Sequence, residues 1–102
     1  GGLFYVKQMI QYCRTQGIRY WIGSMVESGI SKILHVQLAA LTDTYMEGDL
    51  SDSRRYFDQD FIVPEIIFEN GKMKCPEGNG LGVKINKSAI LKQAVETLKV
   101  GR

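Results

Sequence analysis

Ile18, Tyr20, Trp21, Ile22 and Met25 make a nearly unbroken apolar run, and this run limits the possible folds more than any other feature of the chain. An apolar stretch of this length reads as a strand, Ile18 to Met25, buried on both faces. Burial on both faces is the habit of parallel sheets covered by helices, and the flanks supply the helices. Leu3, Val6, Ile10 and Cys13 recur at spacings of three and four, which predicts a helix from Leu3 to Gln16. Gly17 stands where a left-handed C-terminal cap is wanted. After a short turn at Glu27 to Gly29, Ile30, Ile33, Leu34, Leu38 and Leu41 predict a second helix over Ile30 to Leu41, with the Ser28 hydroxyl offered as its cap. Thr44 to Met46 reads as a short strand. Helix, strand, helix, strand is the order of an α/β architecture with a parallel sheet.

The second half is different. Gly48 to Asp60 is polar and irregular. Ile66 to Phe68 and Met73 to Cys75 flank Asn70-Gly71, a pair that tolerates positive φ and predicts a hairpin. Pro76 to Gly82 is a glycine-rich loop. Its Gly78-x-Gly80-x-Gly82 spacing is not read as a nucleotide fingerprint, because Val83 to Ile85 continues as extended chain where a helix would have to open. Lys87 to Leu98 reads as a last amphipathic helix with Asn86 as cap.

Composition removes several functions. The net charge is +2, and Arg54-Arg55 is bracketed by Asp52 and Asp58, so no basic stripe exists for nucleic acid. No apolar run nears the ~20 residues that span a bilayer. Cys13 and Cys75 form no CxxC pair and are expected as reduced thiols, which fits a cytoplasmic protein. A chain of 102 residues is one domain at most, with a modest core. His35, the sole histidine, is placed mid-helix with no partner in view. Glu27 reads equally well as a carboxylate favoured by a helix dipole and as part of a site network. Trp21 is expected in the core.

Three landmarks stand in order. Gly1-Gly2-Leu3 opens a helix, Ile22-Gly23-Ser24-Met25-Val26-Glu27-Ser28-Gly29 closes a strand, and Gly48-Asp49-Leu50-Ser51-Asp52-Ser53-Arg54-Arg55-Tyr56-Phe57 follows, with Asp60 and Gly80-Leu81-Gly82-Val83 beyond it. Together they resemble the last quarter of the muconate-lactonizing-enzyme subgroup of the enolase superfamily, most closely the o-succinylbenzoate synthase / N-succinylamino acid racemase family. Dipeptide epimerases share the Met-x-Glu-Ser landmark but usually carry Asp-x-Asp where this chain has Asp49-Leu50-Ser51. The chain departs from the family pattern at Ser24, Asp52 and Asn79, where Gly, Ala and Pro are usual. The first departure bears on the substrate pocket.

The resemblance implies the C-terminal part of a modified (β/α) barrel. Residues 1–60 would supply its last two to three strand-helix units, with Ile18 to Met25 as the seventh strand and Thr44 to Met46 beginning the eighth. Residues 61–102 would form a hairpin and a helix returning toward the capping domain. Barrel sites lie at the C-terminal ends of strands, so Gly23, Ser24, Met25, Val26, Asp49 and Ser51 are the implied substrate-binding residues. The implied reaction removes a proton alpha to a carboxylate, with Mg2+ or another divalent ion stabilising the enediolate and two lysines exchanging protons. Those lysines and the three metal carboxylates are expected upstream of Gly1, in a longer polypeptide. The segment alone is therefore expected to be inactive, poorly stable and without catalytic or metal-ligating residues of its own. The implied partners are a small-molecule carboxylate substrate, the remainder of the enzyme chain and further copies in a homo-oligomer. A dipeptide epimerase remains as an alternative within the superfamily. A free-standing α/β domain that binds a partner remains as one outside it.

Overall fold

The structure, a computed structural model, describes residues 1–41 and 48–100. Helix α1 runs Gly2–Gln16, and Gly17 closes it with φ 64 while its N–H returns to the Arg14 and Cys13 carbonyls. Val6, Ile10 and Cys13 form its partly buried stripe. No residue of α1 is fully buried, and Leu3, Phe4, Met9 and Tyr12 stand exposed. At its far end Arg14 Nη2 donates to the Leu41 carbonyl at 2.9 Å, which ties α1 to the end of α2 (Gly29–Leu41).

Residues 18–25 run without regular hydrogen bonding to another strand among the described residues. The expected two-sided burial is not observed. Tyr20, Ile22 and Ser24 are half-buried while Trp21, Gly23 and Met25 are exposed, Trp21 by 46% and Met25 by 77%. This period-two alternation marks extended chain with one face covered. The expected neighbour at Thr44 to Met46 lies outside the described residues.

The core forms around α2. Ile33, Ile62 and Ile66 are completely buried, with Ile30, Phe68, Met73, Leu81 and Val83 packed against them. Burying one such isoleucine contributes about 1.5–3 kcal/mol. One core thus joins the second helix to the extended segments of the second half. Those segments form a two-stranded antiparallel sheet, β1 (Ile62–Val63) with β2 (Lys84–Ile85), in the register Ile62↔Ile85 and Val63↔Lys84. The Asn70-Gly71 turn is present, with φ 51 and 73 and reciprocal Glu69–Lys72 backbone bonds of 2.8 and 2.9 Å. The hairpin stops at that single bridge. Beyond it Ile66, Phe68 and Met73 turn into the core instead of extending the ladder.

The last helix, α3, covers Lys87–Gln93 and not Lys87 to Leu98. Asn86 caps it as expected, accepting from the Ala89 N–H at 3.2 Å. Ala94 is extended, and Val95 and Leu98 are 102% and 79% exposed. An amphipathic stripe with nothing to bury against gives a short helix little support.

Candidate functional site

The two segments singled out by the sequence meet. The Ser24 N–H donates to Asp49 Oδ1 at 2.7 Å, joining positions 25 apart in the chain. Gly48 makes the approach possible, because a Cβ there would lie 2.6 Å from the Ile22 carbonyl oxygen. Gly23, Ser24, Met25, Val26 and Asp49 therefore share one edge of the molecule. Of these, Met25 and Val26 are 77% and 71% exposed.

The backbone donors of this edge are partly engaged within the chain. Ser24 N–H is held by Asp49, and Met25 N–H donates to Glu27 Oε1 at 3.1 Å. A carboxylate accepts well from an amide because the bond is charge-assisted. The edge thus offers apolar side chains at 25 and 26 and a carboxylate at 49, set by bonds within the chain. Glu27 belongs to this network: its side chain is only 16% exposed and lies 3.1 Å from His35 Nδ1, although the ring N–H is not aligned for a hydrogen bond. His35 thus has a neighbour that helical periodicity did not reveal.

Ser51, two residues beyond Asp49, is held by α2. Its hydroxyl and carbonyl both accept from Lys32 Nζ, at 3.2 and 3.1 Å. Lys32 also donates to the Asp52 carbonyl at 3.3 Å and sits 4.6 Å from the Tyr56 ring centre. Only 1% of Lys32 is exposed. It lies on the covered side of α2 at a position that the apolar spacing left out. A buried lysine surrounded by partners carries no pattern in the sequence to betray it.

Asp60, a landmark in the sequence, also acts at long range. Its Oδ1 accepts from the Gly29 N–H at 2.8 Å and from the Phe61 N–H at 2.6 Å. The start of α2 is therefore capped by a carboxylate 31 residues away, and the Ser28 hydroxyl is not the cap. Ser28 contributes its carbonyl, which accepts from Ser31 and Lys32. A Cβ on Gly29 would collide with the Asp60 carboxylate and the Ile62 side chain, so only glycine fits. Asp52 caps the 3-10 turn Ser53–Arg55 through the Arg54 N–H and pairs with the Arg54 guanidinium at 3.3 Å. The hydrogen bond from Arg54 holds the Asp52 carboxyl below its ordinary range, against a smaller opposing effect of burial.

Among the described residues no group of three His, Cys, Asp or Glu side chains is placed to hold a metal ion. The described residues therefore supply no ligand set for the divalent ion that the resemblance implies. A hollow of about 470 Å³, lined by Ile33, Ile67, Met73 and Val83 with Glu65 and Lys72 at its edge, lies away from the Ser24–Asp49 contact. No described helix is long and apolar enough to cross a membrane.

An extended segment and an acidic loop thus meet beside the start of a helix, and comparison with known proteins shows the family. The enolase C-terminal domain-like family matches residues 1–89, and the chain belongs to that family. Its relatives include an o-succinylbenzoate synthase of Bacillus subtilis, 36% identical over 90% of this chain and 25% of that protein. Another is an N-succinylamino acid racemase of Amycolatopsis, 34% identical over 81% of this chain and 22% of its own length. The chain spans about a quarter of the length of the curated relatives it matches. A crystal structure of an enolase superfamily member from Listeria innocua superposes with a TM-score of 0.82 at 30% identity, covering 90% of this chain and 25% of that one. A muconate lactonizing enzyme from Klebsiella pneumoniae superposes at 0.74 with 15% identity, covering 84% of this chain and 24% of its own, and speaks for the fold alone.

Proposed function

We propose that this chain forms the C-terminal part of a barrel enzyme that removes a proton alpha to a carboxylate, acting as an o-succinylbenzoate synthase or an N-acylamino acid racemase. The observation that carries the reading is the Ser24–Asp49 contact, which unites the two landmark segments on one edge. In this reading Gly23, Ser24, Met25 and Val26, with Asp49 and Ser51, wall the substrate cavity. Residues 1–60 are the last strand-helix units of the barrel, and residues 61–102 return toward the capping domain. The exposed side chains of Trp21 and Met25 face the barrel interior, which the rest of the polypeptide closes.

The reactive groups come from that remainder. A divalent ion such as Mg2+, if held by oxygen ligands of that remainder, would supply Lewis-acid stabilisation of negative charge on the substrate carboxylate. This chain's residues orient the ligand. The side chains of Met25 and Val26 exclude water from its acyl or side-chain end, and Asp49 keeps the peptide at Ser24 in place. Orientation of this kind contributes several kcal/mol to a barrier when the geometry is fixed. The protein works in the cytoplasm as a homo-oligomer, and the 102-residue segment by itself is inactive. The test is a substrate screen on the complete polypeptide, covering N-succinyl amino acids, the dehydration substrate of the synthase, and dipeptides. Turnover of either of the first two supports the reading. Turnover of dipeptides alone, or of none, overturns it.

A further inference from the structure

We infer that Lys32 is a positioning residue that fixes Ser51 as a hydrogen-bond donor toward an acceptor oxygen of the ligand, a carboxylate or acyl carbonyl oxygen. The inference rests on the substrate edge proposed above and names the ligand chemistry at one point of it. A lysine ammonium has three protons and no acceptor. Here three oxygens receive it, the Ser51 carbonyl at 3.1 Å, the Ser51 hydroxyl at 3.2 Å and the Asp52 carbonyl at 3.3 Å, and the Tyr56 ring lies 4.6 Å away. Burial of a charge is costly unless it is met in this way, and Lys32 is 1% exposed. So complete a match leaves the ammonium little freedom, and the Ser51-Asp52 peptide is pinned to α2 two residues beyond Asp49.

The consequence for Ser51 follows from its hydroxyl. A serine oxygen that accepts from a cation directs its own proton away from that cation. Among the described residues the Ser51 O–H donates to no partner. Ser51 is half-buried, and in the proposed reading this proton faces the ligand at the edge. The neighbouring positive charge polarises the hydroxyl and strengthens what it donates. A ligand oxygen bearing negative charge is the partner such a donor prefers. The ammonium itself, turned inward and satisfied, does not touch the ligand.

The experiment is kinetic and uses the complete enzyme, with an N-succinyl amino acid as probe and deuterium exchange as a readout that needs no turnover. Ser51→Ala and Lys32→Met should each raise KM on the order of tenfold, the effect of losing one hydrogen bond to a charged group. The double variant should be no worse than the poorer single variant, and Lys32→Arg should recover most of the loss. Exchange over residues 49–52 should quicken in Lys32→Met and stay unchanged in Ser51→Ala. An unaltered KM in Ser51→Ala, or losses that simply add in the double variant, would overturn the inference. Should Lys32→Met fail to fold, Lys32→Gln removes the charge while keeping a donor, and the Ser51→Ala result still decides. Absence of turnover in the unmodified enzyme would refute the proposed function, while unchanged exchange in a folded Lys32 variant would refute the pinning.

Discussion

The backbone N–H of Ser24 and the carboxylate of Asp49, 2.7 Å apart, join the end of one extended segment to the loop that leads into the Ser53–Arg55 turn. A backbone amide has one proton to give, and this one goes to a side chain 25 residues on. The contact fixes the peptide that precedes Met25 and Val26. Replacing Asp49 by Ala in the complete enzyme should lower kcat/KM on the order of tenfold, as expected for loss of a charge-assisted bond. Asp49→Asn should retain part of the activity, because its amide oxygen still accepts. Steady-state kinetics of the two variants distinguish these outcomes.

Gly29 lies against Asp60 and Ile62, and any Cβ there displaces both. Gly29→Ala should destabilise the protein by about 1–3 kcal/mol, an overpacking cost with no compensating contact. Urea denaturation of the complete protein measures it as a lower midpoint at constant slope.

Asp60 supplies the cap of α2 from a distance. Asp60→Ala should cost about 1–2 kcal/mol, the range for loss of an N-terminal cap. Ser28→Ala should cost much less, since Ser28 uses its carbonyl there and not its hydroxyl. Thermal melts of the two variants side by side test the assignment.

Asp52 is held below its ordinary value of 3.8 by the hydrogen bond from Arg54. A carboxyl depressed in the native state binds its proton more readily when the chain unfolds. Its contribution is thus fully present above the unfolded value and is lost as pH falls through the depressed native one. Asp52→Asn should flatten that part of the acid limb of a stability–pH curve. The effect should be small because the pair is partly exposed to solvent, and added salt should shrink it.

Local patterns in the sequence account for the elements that local physics controls. The bounds of α1 and α2 follow from apolar spacing and from Gly17, and the Asn70-Gly71 turn and the Asn86 cap follow from side chains acting within three residues of themselves. What sequence spacing did not reveal depends on partners far away in the chain. Lys32 meets Ser51 across 19 residues, Asp60 meets Gly29 across 31, and β1 meets β2 across about twenty. Glu27 and His35 are close in sequence, but their contact joins a turn to the second turn of a helix, which periodicity does not describe. Helix α3 ends before its apolar stripe does, because Val95 and Leu98 favour helix only where something covers them.

The claim that the edge at Met25 and Asp49 is a wall of a substrate cavity is tested most directly by a crystal structure of the complete enzyme with an N-succinyl amino acid bound. The account predicts ligand atoms within about 4 Å of the Met25 and Val26 side chains, with the Ser24–Asp49 bond intact beside them. A ligand bound on another face, touching neither segment, would contradict it.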